Sequence, residues 1–197
     1  MMSEHRFFDP AEPDPFFTDP AWYASLDRAP HLEQPEHRHR LEVAAQLVRE
    51  AIARGAQTVS DLGAGDGGLL SLIASEPVAA WGYDLMPANV DAAVNERHVA
   101  VTCADFLLDP VQYGECVVLT EVLEHLIDPH GVLRGLPSSV RFVVASSPND
   151  ETWESRYIYH TYGWNMDGYR TMFDGAGWNV LKHEAIPGFQ VLLAGRG

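Results

Sequence analysis

TVSDLGAGDGG, from Thr58 to Gly68, carries an apolar, β-branched run straight into closely spaced glycines and then into a helical pattern. Glycines at such a turn let the main chain bend tightly and approach a ligand with no Cβ in the way, so the stretch reads as strand, nucleotide-class loop, helix. Gly63, Gly65 and Gly68 also fit the spacing of dinucleotide-binding loops, a pattern of low specificity by itself. Asp84, at the end of the next apolar run, suits ribose hydroxyls in either case. Asp61 separates the two: a carboxylate two residues before the first glycine favours a ligand bearing an ammonium and a sulfonium, and would repel a pyrophosphate.

Outward from the loop, short apolar runs alternate with helical patterns. The runs are TVSDL at 58–62, AAWGYD at 79–84, VAVTCA at 99–104, CVVLT at 116–120 and RFVVAS at 141–146; helices are expected near 67–75, 87–95 and 128–136. Strands alternating with helices at this spacing imply right-handed crossovers and a parallel sheet covered on both faces. Upstream, Leu41, Ala44, Ala45, Leu47, Val48 and Ile52 recur at helical spacing and Gly55 supplies a stop, which predicts one amphipathic helix over 36–54. Downstream the rhythm breaks: a helix from Met166 to Ala176 is followed by WNVLKHEAI and FQVLLAGR, separated only by Pro187-Gly188, a connection that forces an antiparallel hairpin. The class is therefore α/β, a mostly parallel sheet closed by a carboxy-terminal hairpin. Residues 1–35 mix aromatics, acids and prolines, and are expected to be mostly loop with a short helix near Trp22 to Asp27. Phe16, Phe17, Trp22 and Tyr23 favour packing over the core or a ligand above a solvated tail. The division is thus an amino-terminal cap at 1–35 and one domain at 36–197.

With 197 residues, a formal net charge of −15 and Lys182 as the sole lysine, a broad phosphate-binding surface is hard to build, and nucleic acid is a disfavoured partner. No long apolar run and no basic, apolar leader occurs, so the expectation is a cytoplasmic protein with no membrane partner. Cys103 and Cys116, both in strand-like runs, read as buried reduced thiols.

The motifs in order resemble class I S-adenosylmethionine-dependent methyltransferases: DLGAGDG their first, GYDLMPANV their second, CADFL their third and VVLTEVLEHLIDP their fourth, with VVASSPND and DGYRTMFDGAGWNV similar to later segments. The resemblance runs from about residue 56 onward. It implies a Rossmann-like sandwich, a seven-stranded, mostly parallel sheet with an antiparallel last strand, and S-adenosylmethionine as cofactor. It also implies that Asp61, Gly63 and Gly65 line the methionine part and that Asp84 binds the ribose. Leu85, Met86 and Phe106 would pack on the adenine, Asp105 would accept from its amino group, and Glu121 would lie near the methionine amino group and the methyl.

Methyl transfer is an in-line displacement, so alignment matters most, and a base is needed only when the acceptor must lose a proton. Candidates are His125, His160 and Glu121. On a helix starting near Glu121, Glu121, Glu124 and His125 would share one face. That set, with His160 later, resembles small-RNA terminal 2′-O-methyltransferases, which implies a divalent ion on Glu121, Glu124, His125 and His160 and an RNA acceptor. Small-molecule members carry the same EVLEH stretch without metal, and the acidic charge favours them. A third alternative is a catalytically silent protein that binds the cofactor and regulates a partner. His37 and His39, at i and i+2, do not share a helix face and read as solvated, unless Arg38, Arg40 and one histidine hold an acidic group of the substrate. Trp153, Arg156, Tyr157 and Tyr159 lie in an insert after the fifth strand, where the resemblance implies substrate-contacting elements; these aromatics would either stack on a planar acceptor or pack under the insert. The expected function is methyl transfer to a small-molecule acceptor; oligomeric state is not legible.

Overall fold

A computed structural model describes residues 3–9 and 20–196. Phe16 and Phe17 lie outside the described residues. The elements are β1 (Glu4–Arg6), α1 (Pro20–Ala24), α2 (Pro35–Ala53), β2 (Thr58–Leu62), α3 (Gly68–Leu72), β3 (Ala79–Asp84), α4 (Pro87–Asn95), β4 (Val101–Cys103) and β5 (Cys116–Thr120). They continue with α5 (Pro129–Gly135), β6 (Phe142–Pro148), β7 (Tyr162–Trp164), α6 (Met166–Gly175), β8 (Asn179–Ile186) and β9 (Phe189–Gly195). One seven-stranded sheet has the order β4-β3-β2-β5-β6-β9-β8. Its strands run parallel except β9, which pairs antiparallel with both β6 and β8. The last strand is thus threaded between β6 and β8, and the Pro187-Gly188 turn, with Gly188 at φ +80°, makes its pairing with β8 antiparallel. Every residue of β5 is buried, as a central strand covered on both faces must be.

Two apolar layers flank the sheet. One packs α2 and α3, through Leu41, Ala44, Leu47, Val48 and Leu69, on Val59, Val118 and Val144; the other packs α5 and α6, through Leu133, Tyr169 and Phe173, on Val117, Leu119 and Val143. Three sequence expectations need correction. The helix after the glycine loop stops at Leu72, because the chain tightens into turns through Ile73 and Glu76 before β3. Cys103 is exposed, since β4 is a three-residue edge strand whose last two residues face out, whereas Cys116 is buried as expected. The amino-terminal segment also contains a strand: β1 pairs antiparallel with β7, joining Glu4 to Trp164 and Arg6 to Tyr162.

Candidate functional site

All strands that end near the glycine loop deliver their carboxyl ends to one cleft, where a parallel sheet with crossovers on both sides leaves a crevice between β2 and β5. The cleft is walled by Asp61, Gly63, Gly65, Asp84, Leu85, Met86, Phe106, Glu121 and His125, with Tyr23, His31 and Arg40 from the amino-terminal part. The positive φ values of Gly63 (+79°) and Gly65 (+56°) bend the main chain around it. A Cβ on Gly63 would lie 2.6 Å from Val122 Cγ2, so that position has no room for a side chain.

Asp61 is buried, and its Oδ1 has no hydrogen-bond partner among the described residues. Burial, then the field of Asp84, pushes its carboxyl up to about 7, with Arg40 opposing. Arg40 is itself 1 % exposed, with Nη1 donating to Ser146 Oγ at 3.3 Å while Nε finds no acceptor among the described residues. A buried carboxylate oxygen and a buried guanidinium nitrogen left open in one cleft are matched to a zwitterion. At the end of β3, Asp84 accepts from Gly65 N at 2.8 Å, Met86 N at 2.9 Å and Asn89 Nδ2 at 3.2 Å. Burial raises its carboxyl and those bonds counter the rise. Asp105 is outside the cleft wall; its carboxylate accepts from Leu107 N at 2.9 Å, as a loop-capping acid does.

At the reacting end the chain does not begin a helix at Glu121. Glu121 takes φ +56°, donates its N–H to Ser146 O, and leads into a single 3-10 turn at Leu123–His125. A non-glycine residue in that region is strained, and the neighbouring strand β6 imposes it. The side chains consequently part. Glu121 accepts from Ser146 Oγ at 2.9 Å and faces Arg40 Nε at 3.9 Å, while Glu124, His125 and His160 bring ligand-type atoms within 4.8 Å of one another. Both Glu124 oxygens are buried with no partner among the described residues, and burial, then Glu121, holds its carboxyl well above the usual range. His125 Nδ1 donates to Tyr159 O at 3.2 Å, which leaves Nε2 as a lone pair; burial, then His160, holds its pKa to about 3. His160, behind it with ring centroids 4.6 Å apart, sets Nδ1 on Glu151 Oε2 at 2.6 Å.

Several site residues were not singled out in the sequence. Arg28 grips Asp66 of the glycine loop through Nε at 3.0 Å and Nη2 at 2.8 Å, and Ala29 N donates to Asn89 Oδ1 at 3.0 Å. Residues 28–33 therefore strap the amino-terminal segment over the loop, where Leu32 lies against Gly68. Glu151 and Asn89 gave no signal, because their partners come from other elements. His37 and His39 fall inside α2, and His37 stacks on His31 with centroids 4.5 Å apart.

A family model described as methyltransferase domain matches residues 36–190. Comparison with curated proteins finds no match. Among solved structures, magnesium protoporphyrin IX methyltransferase from Synechocystis PCC 6803 with bound SAH superposes with TM-score 0.67 at 15% identity, over 89% of this chain and 91% of that one. The N-methyltransferase NodS from Bradyrhizobium japonicum WM9, in complex with SAH, gives TM-score 0.67 at 15% identity over 93% and 99%. The methyltransferase domain of a bacterial Hen1 gives 0.62 at 18% over 80% and 97%. At these identities the likeness is one of fold.

Proposed function

The chain belongs to the methyltransferase domain family, and from that premise we propose that it transfers a methyl group from S-adenosylmethionine to a small-molecule acceptor, releasing S-adenosylhomocysteine. The observation that carries this reading is the open pair in the cleft, Asp61 Oδ1 and Arg40 Nε, beside an acid at the end of β3. Asp61 and Glu121 would hold the cofactor's ammonium, Arg40 its carboxylate and Asp84 its ribose hydroxyls. Leu85, Met86 and Phe106 would face the adenine, and Asp105, although outside the cleft wall, would accept from its amino group through Oδ2 while Oδ1 keeps Leu107 N–H. When bound, the sulfonium supplies an electrophilic methyl carbon; the chain's own task is alignment and the exclusion of water. Where the acceptor must lose a proton, His160, with Nδ1 donating to Glu151 Oε2, would be the base, while His125, held neutral, is too weak a base and would offer Nε2 only as a hydrogen-bond acceptor. Calorimetric titration with S-adenosylhomocysteine, and transfer of labelled methyl into a metabolite extract, test the reading; absence of binding at millimolar ligand would sink it.

A second reading has one observation in its favour. Glu124, His125 and His160 are close enough to share a divalent ion, and Glu151 on His160 Nδ1 is the kind of carboxylate that orients a ligating imidazole. Glu121, turned to Ser146 and Arg40, does not join that set, and the net charge of −15 disfavours the nucleic-acid acceptor that goes with it. Turnover measured after exhaustive chelation, with and without added manganese, separates the two: undiminished activity in chelator leaves the metal-free reading.

A further inference from the structure

Beside the cleft, aromatic rings from two distant parts of the chain meet, with Tyr23 and His125 on its wall. Trp22 and Tyr23 of α1 contact each other with centroids 4.8 Å apart, and Trp22 meets Tyr159 of the segment after β6 at 4.6 Å. Tyr159 meets Tyr157 at 5.2 Å, Tyr157 meets His160 at 5.4 Å, and His160 meets His125 at 4.6 Å. Tyr23 and His125 both line the cleft, so this chain of rings starts and ends on its wall. Tyr157 is 55% exposed and its neighbour Ile158 65%, although side chains of this kind are usually covered. The Tyr23 hydroxyl is pushed up by burial and then by the nearby Tyr157 and Asp105.

The acids nearest these rings are Glu151, on His160, and Asp105, whose field reaches Tyr23; Arg40 lies at the deep end, and Arg156 lies over the Trp153 ring at 4.2 Å. Ring faces carry negative quadrupole potential and stack on planar partners, while the acids repel anions. We propose that Trp22, Tyr23, Tyr157 and Tyr159 form a subsite for a planar aromatic acceptor that carries no negative charge. The proposal rests on the methyl-transfer reading and adds to it the class of acceptor. Neither α1 nor the segment between β6 and β7 builds the subsite by itself, so the strap that fixes α1 through Arg28 is part of its specificity.

The test uses the full chain saturated with S-adenosylhomocysteine and four probes: tyramine, 4-methylphenol, 4-hydroxybenzoate and cyclohexanol. Calorimetry or saturation-transfer NMR reads affinity. Tyramine and 4-methylphenol should bind at least tenfold more tightly than 4-hydroxybenzoate and cyclohexanol. Tyr157→Leu and Trp22→Leu should each lower tyramine affinity at least tenfold while leaving S-adenosylhomocysteine affinity within twofold. Equal binding of the saturated or anionic probe, no binding of any probe, or an unchanged Tyr157→Leu overturns the subsite. Tyr157 is exposed, so its variant stays informative should Trp22→Leu fail to fold. Failure of the wild-type chain to bind S-adenosylhomocysteine counts against the methyl-transfer reading instead, and the probes are then titrated on the free protein.

Discussion

Asp61 concentrates the chemistry of the donor side in one carboxyl. Burial and the field of Asp84 push it up to about 7, so near neutral pH the free protein can carry this carboxyl protonated. A ligand ammonium favours the ionised form, so binding releases a proton and tightens as pH rises from 6 to 8. Calorimetry of S-adenosylhomocysteine in buffers of different ionisation enthalpy reads that proton, and Asp61→Asn should abolish it while weakening binding. The same residue sets a stability slope. Its folded pKa lies above the model-peptide value of 3.8, so the stabilisation it contributes is complete below that value and is lost as pH rises towards 7. Denaturant midpoints of wild type and Asp61→Asn should therefore differ most in their change between about pH 4 and 7. Gly63 makes a steric counterpart: Gly63→Ala places a methyl against Val122 at φ +79° and should cost about 1–3 kcal/mol, whereas Gly135→Ala meets nothing within 4 Å and should be near neutral.

At the level of elements, the strand and helix rhythm was legible because apolar spacing records which face is covered, and the hairpin because Pro187-Gly188 leaves no room for a crossover. Glu121 was misread for the opposite reason. EVLEH has good helix-forming residues, but the bond from Glu121 N–H to Ser146 O belongs to the sheet, and a tertiary contact overrode local propensity. Asp61, Gly63, Asp84 and Phe106 could be placed in the cleft from motif order, while the Arg28–Asp66 and Glu151–His160 pairs depend on segments that meet only in the fold. The strap yields a prediction of its own. Arg28→Ala removes both bonds to Asp66, leaves Arg97 as that acid's partner, and should raise the dissociation constant for S-adenosylhomocysteine several-fold. A Kd equal to wild type by calorimetry would show that the strap does not act on the cleft.

Across the whole molecule, 28 acids against 13 lysines and arginines set a negative field that the cleft shares. Capture of a cationic acceptor such as tyramine should slow as salt rises from low to physiological strength, and that of 4-methylphenol should not. Stopped-flow fluorescence at several ionic strengths checks the difference. Among the described residues no helix is long and apolar enough to cross a membrane. The placement of β9 between β6 and β8 also governs the order in which the two halves of the site mature. Gln190 on β9 donates to Ser147 Oγ, Pro148 O and Trp164 O, so it ties the end of β6 to β7. On a ribosome, where the chain emerges amino-terminus first, the pocket for the methyl donor has all of its strands while the acceptor wall still lacks this tie. The wall on the acceptor side is thus the last part of the site to be tied down as the chain is made.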